Sequence, residues 1–494
     1  MKTKLQTIEQ KYGTFIPYIL ATIFFVVKWI MFTEKDLAHD EPHAVISAMM
    51  PLGKMIPFLL SCNYGILFET LLHFWIKIGG ISLEWLRILP LIFSTVTVFF
   101  LYKLTKVLGG LSAALIAVVM YVFSTQMHYY GFELRAYSLY AMLALASLWF
   151  LLQFLTDQNS QKKTLRYYFA WGFVCLCLVY THWFSWFFVG FQFFLAFCFF
   201  KKQRKSIGLL FVLLLIGFVP AAVGILGHFL TAATQGTFLT PPSWDGFYYT
   251  LHHFFNDTRG FAMIAFLICL ITFILAMRQK DKKILLVCLS FGLPFFLMFL
   301  ISFIYPMWVN RYVIFACVGF ILMFAISLVN IYKAIKPRWA KVVWLSLCGF
   351  LLCYYLISFK ADHRKFMYFF DYSGMVEYIH KHEERPFVLV CTNWNIALMH
   401  AYHRPLFHNA ATGVPFGKYD NFYFLPLWET EHLQAIQETG CDRVIVVDFR
   451  SNESEEIKTL LDALAEHYHH QSERQFFSPF YHVQILQKNE LSQK

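Results

Sequence analysis

The residues able to do chemistry gather in four short polar clusters within an otherwise apolar chain. The first, "LAHDEPHAVISAMM" (37–50), sets Asp40 beside Glu41 directly after the apolar run 14–33. Adjacent carboxylates repel, and in a low-dielectric setting one of them holds its proton or takes a cation. The second, "HYYGFELRAYSLY" (128–140), carries Glu133, Arg135 and Tyr137. On a helix, Glu133 and Tyr137 would share a face and Arg135 would point elsewhere. Tyr and Arg anchor chains at membrane rims by snorkelling, but a charged Glu beside an Arg there is costly enough to suggest function. The third is "VYTHWFSWF" (179–187), with His182 between two short apolar runs. It reads either as a hydrogen-bonded structural histidine or as a neutral imidazole that meets a metal or a phosphate. The fourth, "YPMWVNRYVIF" (305–315), places Arg311 at the start of an apolar run, as an anchor or as a ligand for an anionic headgroup.

The elements that must position these clusters are membrane spans. With 58% hydrophobic and 14% charged residues, the 494-residue chain is not an ordinary soluble protein. Long apolar segments run near 14–33, 86–105, 111–128, 137–156, 167–181, 183–200, 207–228, 260–277, 284–305, 312–332 and 341–359. Basic connectors such as "KKQRK" (201–205) and "RQKDKK" (278–283) separate alternate segments and, with Lys2, Lys4 and Lys11, hold 20 of the 29 Lys and Arg residues before Ala361. By the positive-inside rule these connectors are cytoplasmic, which gives eleven crossings and puts Asp40 outside. The surplus of 41 basic over 30 acidic residues is therefore segmental and no sign of nucleic-acid binding. The first run is too long for a signal-peptide core and lacks a small-residue cleavage site, so it should stay as an anchor.

"GILFETLLHFWIKIGG" (65–80) is apolar except for Glu69, His73 and Lys77 at every fourth position. That stripe predicts an interfacial helix, which makes 34–85 one large first outer loop. From Ala361 the pattern turns soluble: "FVLVC" (387–391) and "RVIVV" (443–447) read as strands, and 430–439 and 453–468 as amphipathic helices. "HYHH" (467–470) reads as a solvated helix end. Nine of the eleven Cys lie in or beside apolar runs as small hydrophobes, whereas Cys391 and Cys441 in the tail could pair. The fold class is thus a polytopic α-helical membrane protein of about eleven transmembrane helices with interfacial helices in its first outer loop. A membrane domain (1–360) precedes an extracytoplasmic α/β domain (361–494).

The order of these clusters resembles the GT-C membrane glycosyltransferases, in the branch of protein O-mannosyltransferases, aminoarabinose transferases and RgtA/B/C/D-like enzymes. The resemblance rests on Asp40-Glu41 opening the first outer loop and "EWLRILPLIFS" with Arg87 entering the second span. It continues with Glu133, Arg135 and Tyr137 at the next outer turn, the Thr181-His182 pair, and Arg311-Tyr312 opening a late span. It covers roughly residues 14–330. One departure is "GILFE" (65–69), where many relatives carry Pro-Pro-Leu-Tyr-Tyr.

The resemblance implies an inverting transferase that moves a sugar from a polyprenyl-phosphate donor to a lipid, glycan or protein acceptor at the outer face of the plasma (inner) membrane. Asp40 would then be the general base, with Glu133 the next candidate, and Glu41 either orients Asp40 or ligates a metal. Arg135, Arg311 and Lys54, with Tyr137 and Tyr312, would hold the donor phosphate. Glu41 and His182 form a partial site for a divalent metal cation, the one cofactor this pattern allows. A transporter or flippase of lipid-linked sugar is the alternative, but that class places ionisable residues at mid-membrane, where Lys28 is the main charge here.

Overall fold

The computed structural model describes residues 13–32, 37, 40–61, 64–156, 161–235, 240–360, 372–382, 387–391, 417–418, 422–426, 432–449, 455–476 and 481–489. The chain divides into two compact units. One comprises Met1–Phe32, Ile56–Leu71 and Trp85–Ala361; the other comprises Thr33–Met55, Leu72–Glu84 and Asp362–Lys494.

Every apolar segment named above is helical. The helices are α1 (Ile16–Ile30), then α2 (Glu41–Met49), α3 (Leu52–Ser61) and α4 (Leu67–Gly79), followed by α5 (Leu83–Gly109), α6 (Leu111–Val122) and the short α7 (Thr125–Tyr130). Next come α8 (Tyr137–Thr156), α9 (Gln161–Thr181), α10 (Ser185–Phe199), α11 (Arg204–Gln235) and α12 (Trp244–Phe254). The series ends with α13 (Arg259–Gln279), α14 (Lys282–Ile301), α15 (Ile314–Ala334) and α16 (Arg338–Ile357). Among the described residues, seven helices are long and apolar enough to cross a membrane, those of α5, α8, α11, α13, α14, α15 and α16. α1, α6 and α10 are shorter apolar helices, and α9 opens on Lys162, Lys163 and Arg166, which dilute its hydropathy.

Burial follows from lipid serving as the outer solvent. α15 is the central helix, with every residue from Ile314 to Leu328 buried. α11 and α16 instead present Val223 and Ile357 at 74% and 83% exposure, the apolar surface a bilayer would cover. Lipid gives apolar side chains little reason to leave it, so polar contacts fix the helices in place. The indole Nε1–H of Trp171 donates to Gln192 Oε1 (2.6 Å), and Gln192 Nε2 donates to Ser147 Oγ (3.0 Å). This chain of bonds ties α8, α9 and α10 together.

Two further locks set the carboxyl-terminal end of α6. Lys28 of α1 is buried, and its Nζ donates to the carbonyl of Val122 (2.5 Å), the last residue of α6, while lying 3.1 Å from His128 Nδ1. The charge inside the first span is thus committed to a helix end and a neighbouring ring. Asn256, at φ +56°, donates through Nδ2 to Phe123 O (2.8 Å) and Tyr355 O (3.0 Å) and accepts from Thr125 N (2.8 Å). One buried amide therefore joins the α6–α7 break to α16.

The carboxyl-terminal unit carries a six-stranded sheet of order β2-β3-β1-β4-β6-β5. Its strands are β1 (Phe387–Cys391), β2 (Gly417–Lys418), β3 (Phe422–Pro426), β4 (Arg443–Phe449), β5 (Tyr468–Phe476) and β6 (Tyr481–Lys488). β1 pairs in parallel with β3 and β4, and β6 runs antiparallel to β4 and β5. Val388, Val390, Val444, Val446 and Leu486 pack with Ile436, Leu460 and Leu464. The last three belong to α18 (His432–Glu438) and α19 (Glu455–Ala465), which follow α17 (Tyr372–His380). The two core strands and both helices match the sequence reading. "HYHH" does not: Tyr468, His469 and His470 open β5, whose register pairs Tyr468 with Lys488 and Phe476 with Tyr481. β5 is a polar edge strand held by its neighbour's ladder, so no apolar alternation announces it. The side chain of Cys391, and hence any pairing with Cys441, lies outside the described residues.

Candidate functional site

The Glu-x-Arg cluster is carried by a turn. Ser124 caps α7 by accepting from Met127 N (3.3 Å). After α7, Glu133 N donates to Tyr129 O (3.2 Å) and Arg135 N to Glu133 O (2.8 Å), and α8 starts only at Tyr137. Residues 131–136 are therefore not helical, and the face-sharing expected for a helical turn does not apply. Arg87 of α5, itself buried, donates through Nη1 to Phe132 O (2.7 Å). A hydrogen bond from a charged donor contributes about 1.5–3 kcal/mol, enough to hold this turn in one conformation. Glu133 and Arg135 are both buried on it.

Around that turn the first unit assembles most of the expected site. The Arg135 guanidinium lies 4.7 Å from the centroid of the Tyr64 ring and that of Arg311 lies 5.6 Å from the Tyr312 ring, both stacked cation–π contacts. The approach to Arg311 is fixed by Thr250 on α12, whose Oγ1 donates to Asn310 Oδ1 (2.6 Å) and accepts from Trp308 Nε1 (3.1 Å). His182 leaves α9 with its ring stacked on Tyr140 (centroids 5.3 Å apart, 14° between planes), 5.3 Å from the Tyr312 ring and 6.4 Å from that of Tyr137.

Electrostatics confirm the convergence. Burial pushes the His182 imidazole down to about 3, helped by the positive charges of Arg135 and Arg311. The ring is therefore neutral at physiological pH, and its buried Nδ1 has no hydrogen-bond partner among the described residues. The phenol of Tyr130 is pushed well up by burial, then by Glu133 and Tyr137, and is drawn back by Arg311. Glu133, Arg135, Tyr137, His182, Arg311 and Tyr312 thus lie close together, bringing two cations into one largely buried cluster. Such a locus suits an anion with several oxygens.

The interfacial helix α4 adds a residue that motif reading did not assign. Just before it, Ile66 N donates to Tyr180 O (2.9 Å), and Gly65 passes so close to the end of α9 that a Cβ would lie 2.1 Å from Thr181 O. This close approach seats α4 beside His182. The first two residues of the α4 stripe turn inward: Glu69 and His73 are buried, while Lys77, Phe74 and Ile78 are exposed. Burial raises the Glu69 carboxyl to about 7, with the charge of Arg135 pulling the other way. Its every-fourth-residue spacing with His73 was the signal in the sequence.

Asp40, Glu41 and Lys54 belong to the second unit. Asp40 takes the N-cap position of α2, directly before Glu41 and Pro42, yet makes no capping bond with its side chain, although aspartate is among the best caps. Glu41 is buried and Lys54, in the first turn of α3, is exposed. Within this unit His73 Nδ1 lies 2.7 Å from Ala48 O, which joins the end of α2 to α4. Among the described residues, no group of three or more His, Cys, Asp or Glu side chains is placed to hold a metal ion.

No protein-family model and no curated protein matches the chain. Solved structures do. ArnT from Cupriavidus metallidurans, in the apo state and bound to undecaprenyl phosphate, superposes with a TM-score of 0.60 at 10% identity, covering 96% of this chain and 98% of that one. The archaeal oligosaccharyltransferase AglB from Archaeoglobus fulgidus, in complex with an inhibitory peptide and a dolichol-phosphate, does so at 0.55 and 12% identity, covering 98% and 75%. Both belong to the GT-C superfamily, so the chain has the GT-C fold over nearly its whole length.

Proposed function

We propose that this GT-C-fold chain is an inverting membrane glycosyltransferase. It takes a sugar from a polyprenyl-phosphate carrier and delivers it to a lipid, glycan or protein acceptor at the outer face of the membrane. The observation that carries this reading is the convergence of Arg135 and Arg311 on the half-buried, neutral His182. The two guanidiniums meet a phosphate, and the uncharged imidazole adds a hydrogen bond without a further charge. Solved structures of the same fold with undecaprenyl phosphate and dolichol-phosphate support the choice of anion.

In the reaction the acceptor hydroxyl or amine attacks the anomeric carbon, the bond from that carbon to the phosphate oxygen breaks, and the acceptor proton passes to a carboxylate. Asp40 takes that role, because it opens the first outer loop as one of an adjacent pair of carboxylates with Glu41. Glu41 orients it. Arg135 and Arg311, with Tyr137 and Tyr312 beside them and Lys54 as the third cation, stabilise charge as the lipid phosphate leaves. Among the described residues no group of three or more His, Cys, Asp or Glu side chains is placed to hold a metal ion, and no step is routed through one.

An apolar groove of about 410 Å³, lined by Trp186, Phe187, Gly190, Phe191 and Phe194 of α10, suits an isoprenoid chain. Phe184 bridges to it, 5.6 Å from His182 and 6.5 Å from Phe187 between ring centroids. Lys28 disfavours the transporter reading, because its ammonium is spent on Val122 and His128 rather than on a mid-membrane cargo site. The charge alternation of the loops supports eleven crossings and an outer carboxyl-terminal domain. Proteoliposomes loaded with a labelled polyprenyl-phosphate sugar test the function. A transferase releases polyprenyl phosphate only when acceptor is present, whereas a flippase moves the intact lipid without cleaving it.

A further inference from the structure

We propose that Glu69 is a positioning residue for the donor phosphate: its buried carboxyl group, on the helix that follows the Tyr64 ring under the Arg135 guanidinium, takes up a proton when the lipid-linked phosphate binds at Arg135. This rests on the phosphate-binding role of Arg135 given above.

Glu69 stands on the first turn of α4, and Gly65 anchors that turn against Thr181. The residue is 2% exposed. One carboxyl oxygen turns back on its own backbone N–H, and the other, Oε2, is buried with no hydrogen-bond partner among the described residues. Glu69 makes no ion pair within contact distance among those residues, yet it feels the charge of Arg135. The charged groups that bear on it are few. Arg135 acts from the 131–136 turn, which also carries Glu133. His182, beyond the Thr181 contact, is neutral. On its own helix His73 is engaged with Ala48 O and Lys77 points to solvent.

The consequence is a competition between two anions for one cation. With the locus empty, Arg135 partly offsets the burial of the carboxylate, which leaves Glu69 half-ionised near pH 7. An arriving phosphate takes the guanidinium and brings negative charge beside Glu69, so the carboxylate binds a proton. The neutral acid then has an O–H to donate toward the phosphate oxygens, which the carboxylate lacks. Ligand binding that takes up a proton weakens as pH rises above the free-state value.

The test is binding of a polyprenyl monophosphate to purified full-length protein in detergent, measured from pH 6 to 8.5 for the wild type, Glu69→Gln and Arg135→Ala. The ligand's own ionisation is common to all three and cancels in ratios. The ratio of wild-type Kd to Glu69→Gln Kd should rise about thirtyfold across this range, roughly tenfold per pH unit above 7. Parallel profiles for these two proteins, with Arg135→Ala binding weakly, overturn the role of Glu69 and leave the phosphate site standing. Arg135→Ala binding as tightly as the wild type overturns both. Should Glu69→Gln not fold, the wild type alone decides. At pH 7.5 in weak buffer, where such a carboxyl is about three-quarters ionised, adding the lipid should draw roughly 0.8 proton per bound molecule from an indicator dye beyond the lipid's own change in ionisation, and no such uptake refutes the proposal.

Discussion

Gly65→Ala isolates the seating of the interfacial helix from every charged group in the site. The φ of Gly65 lies outside the left-handed region, so alanine meets no backbone strain there and the effect is steric alone. The added Cβ would stand 2.1 Å from the Thr181 carbonyl oxygen and 2.6 Å from its carbon, where ordinary contact begins at 3.4 Å. Both partners are backbone, so no side chain can swing away. The two segments must part by roughly 1.3 Å, and a displacement of about 1 Å beside a reacting centre costs on the order of a hundredfold in rate. Overpacking of this kind also lowers stability by about 1–3 kcal/mol. The hydrogen bond from Ile66 to Tyr180 breaks with it, and α4 moves away from His182. The assay pairs initial rates of sugar transfer with thermal unfolding in detergent, alongside Gly53→Ala, where an added Cβ meets nothing. A Gly65→Ala protein that is folded but about a hundredfold slower supports the reasoning. Turnover within twofold of wild type would show that α4 does not seat against α9 as described.

Three other outcomes follow. Arg87→Met keeps much of the side chain's bulk but leaves Phe132 O without its charged donor. It should lower stability by about 1.5–3 kcal/mol and weaken donor binding as the Glu133–Arg135 turn loosens; an unchanged melting temperature and Kd would contradict this. Thr250→Val removes the hydroxyl that bridges Asn310 and Trp308, so Arg311 loses its fixed approach. Donor Kd should rise roughly tenfold with little loss of fold, checked by lipid binding and circular dichroism. For His182, the native ring resists protonation down to about pH 3, whereas an unfolded histidine binds a proton near 6.5. Between those values the unfolded state holds the extra proton, so stability falls as pH falls through the window. Melting curves at pH 7 and 4.5 should show the wild type losing more than His182→Gln, and equal losses would refute the neutral assignment. The opposite trend from Glu69, whose raised carboxyl loses stability as pH rises, is present in both proteins and drops out of the comparison.

The helices were legible because each apolar segment is punctuated by charge, and the segments named from sequence match α1, α5, α6, α8 to α11 and α13 to α16. The strands "FVLVC" and "RVIVV" were legible for the same reason, as short apolar runs that pair in parallel. β5 was not, because an edge strand of His, Gln, Ser, Glu and Arg takes its conformation from pairing with β6 rather than from burial. Within the site, Glu133, Arg135, His182 and Arg311 stood out as costly polar groups at the ends of apolar runs, and the first unit brings them together. What stayed hidden was the scaffolding. Nothing in "FNDTRG" (255–260) announces that Asn256 bolts three backbone groups, nor in "YYTLHH" (248–253) that Thr250 steers Arg311. Such contacts join residues a hundred or more positions apart or hang on one hydroxyl, and no local periodicity encodes them. The direction of the Glu69 stripe was equally hidden: spacing shows that a helix has a polar face but not which way that face turns.

The central claim is that a carboxylate at the head of the first outer loop drives sugar transfer from a lipid phosphate held by arginines. Single-turnover transfer from a labelled polyprenyl-phosphate sugar by purified wild type and Asp40→Asn, with donor Kd measured on the same preparations, tests it most directly. Removing the proton acceptor while keeping its shape should slow transfer by roughly two to four orders of magnitude and leave donor Kd within about twofold. Near-normal transfer by Asp40→Asn would remove Asp40 as the base, and a wild type that binds the donor but never releases polyprenyl phosphate would contradict the account as a whole.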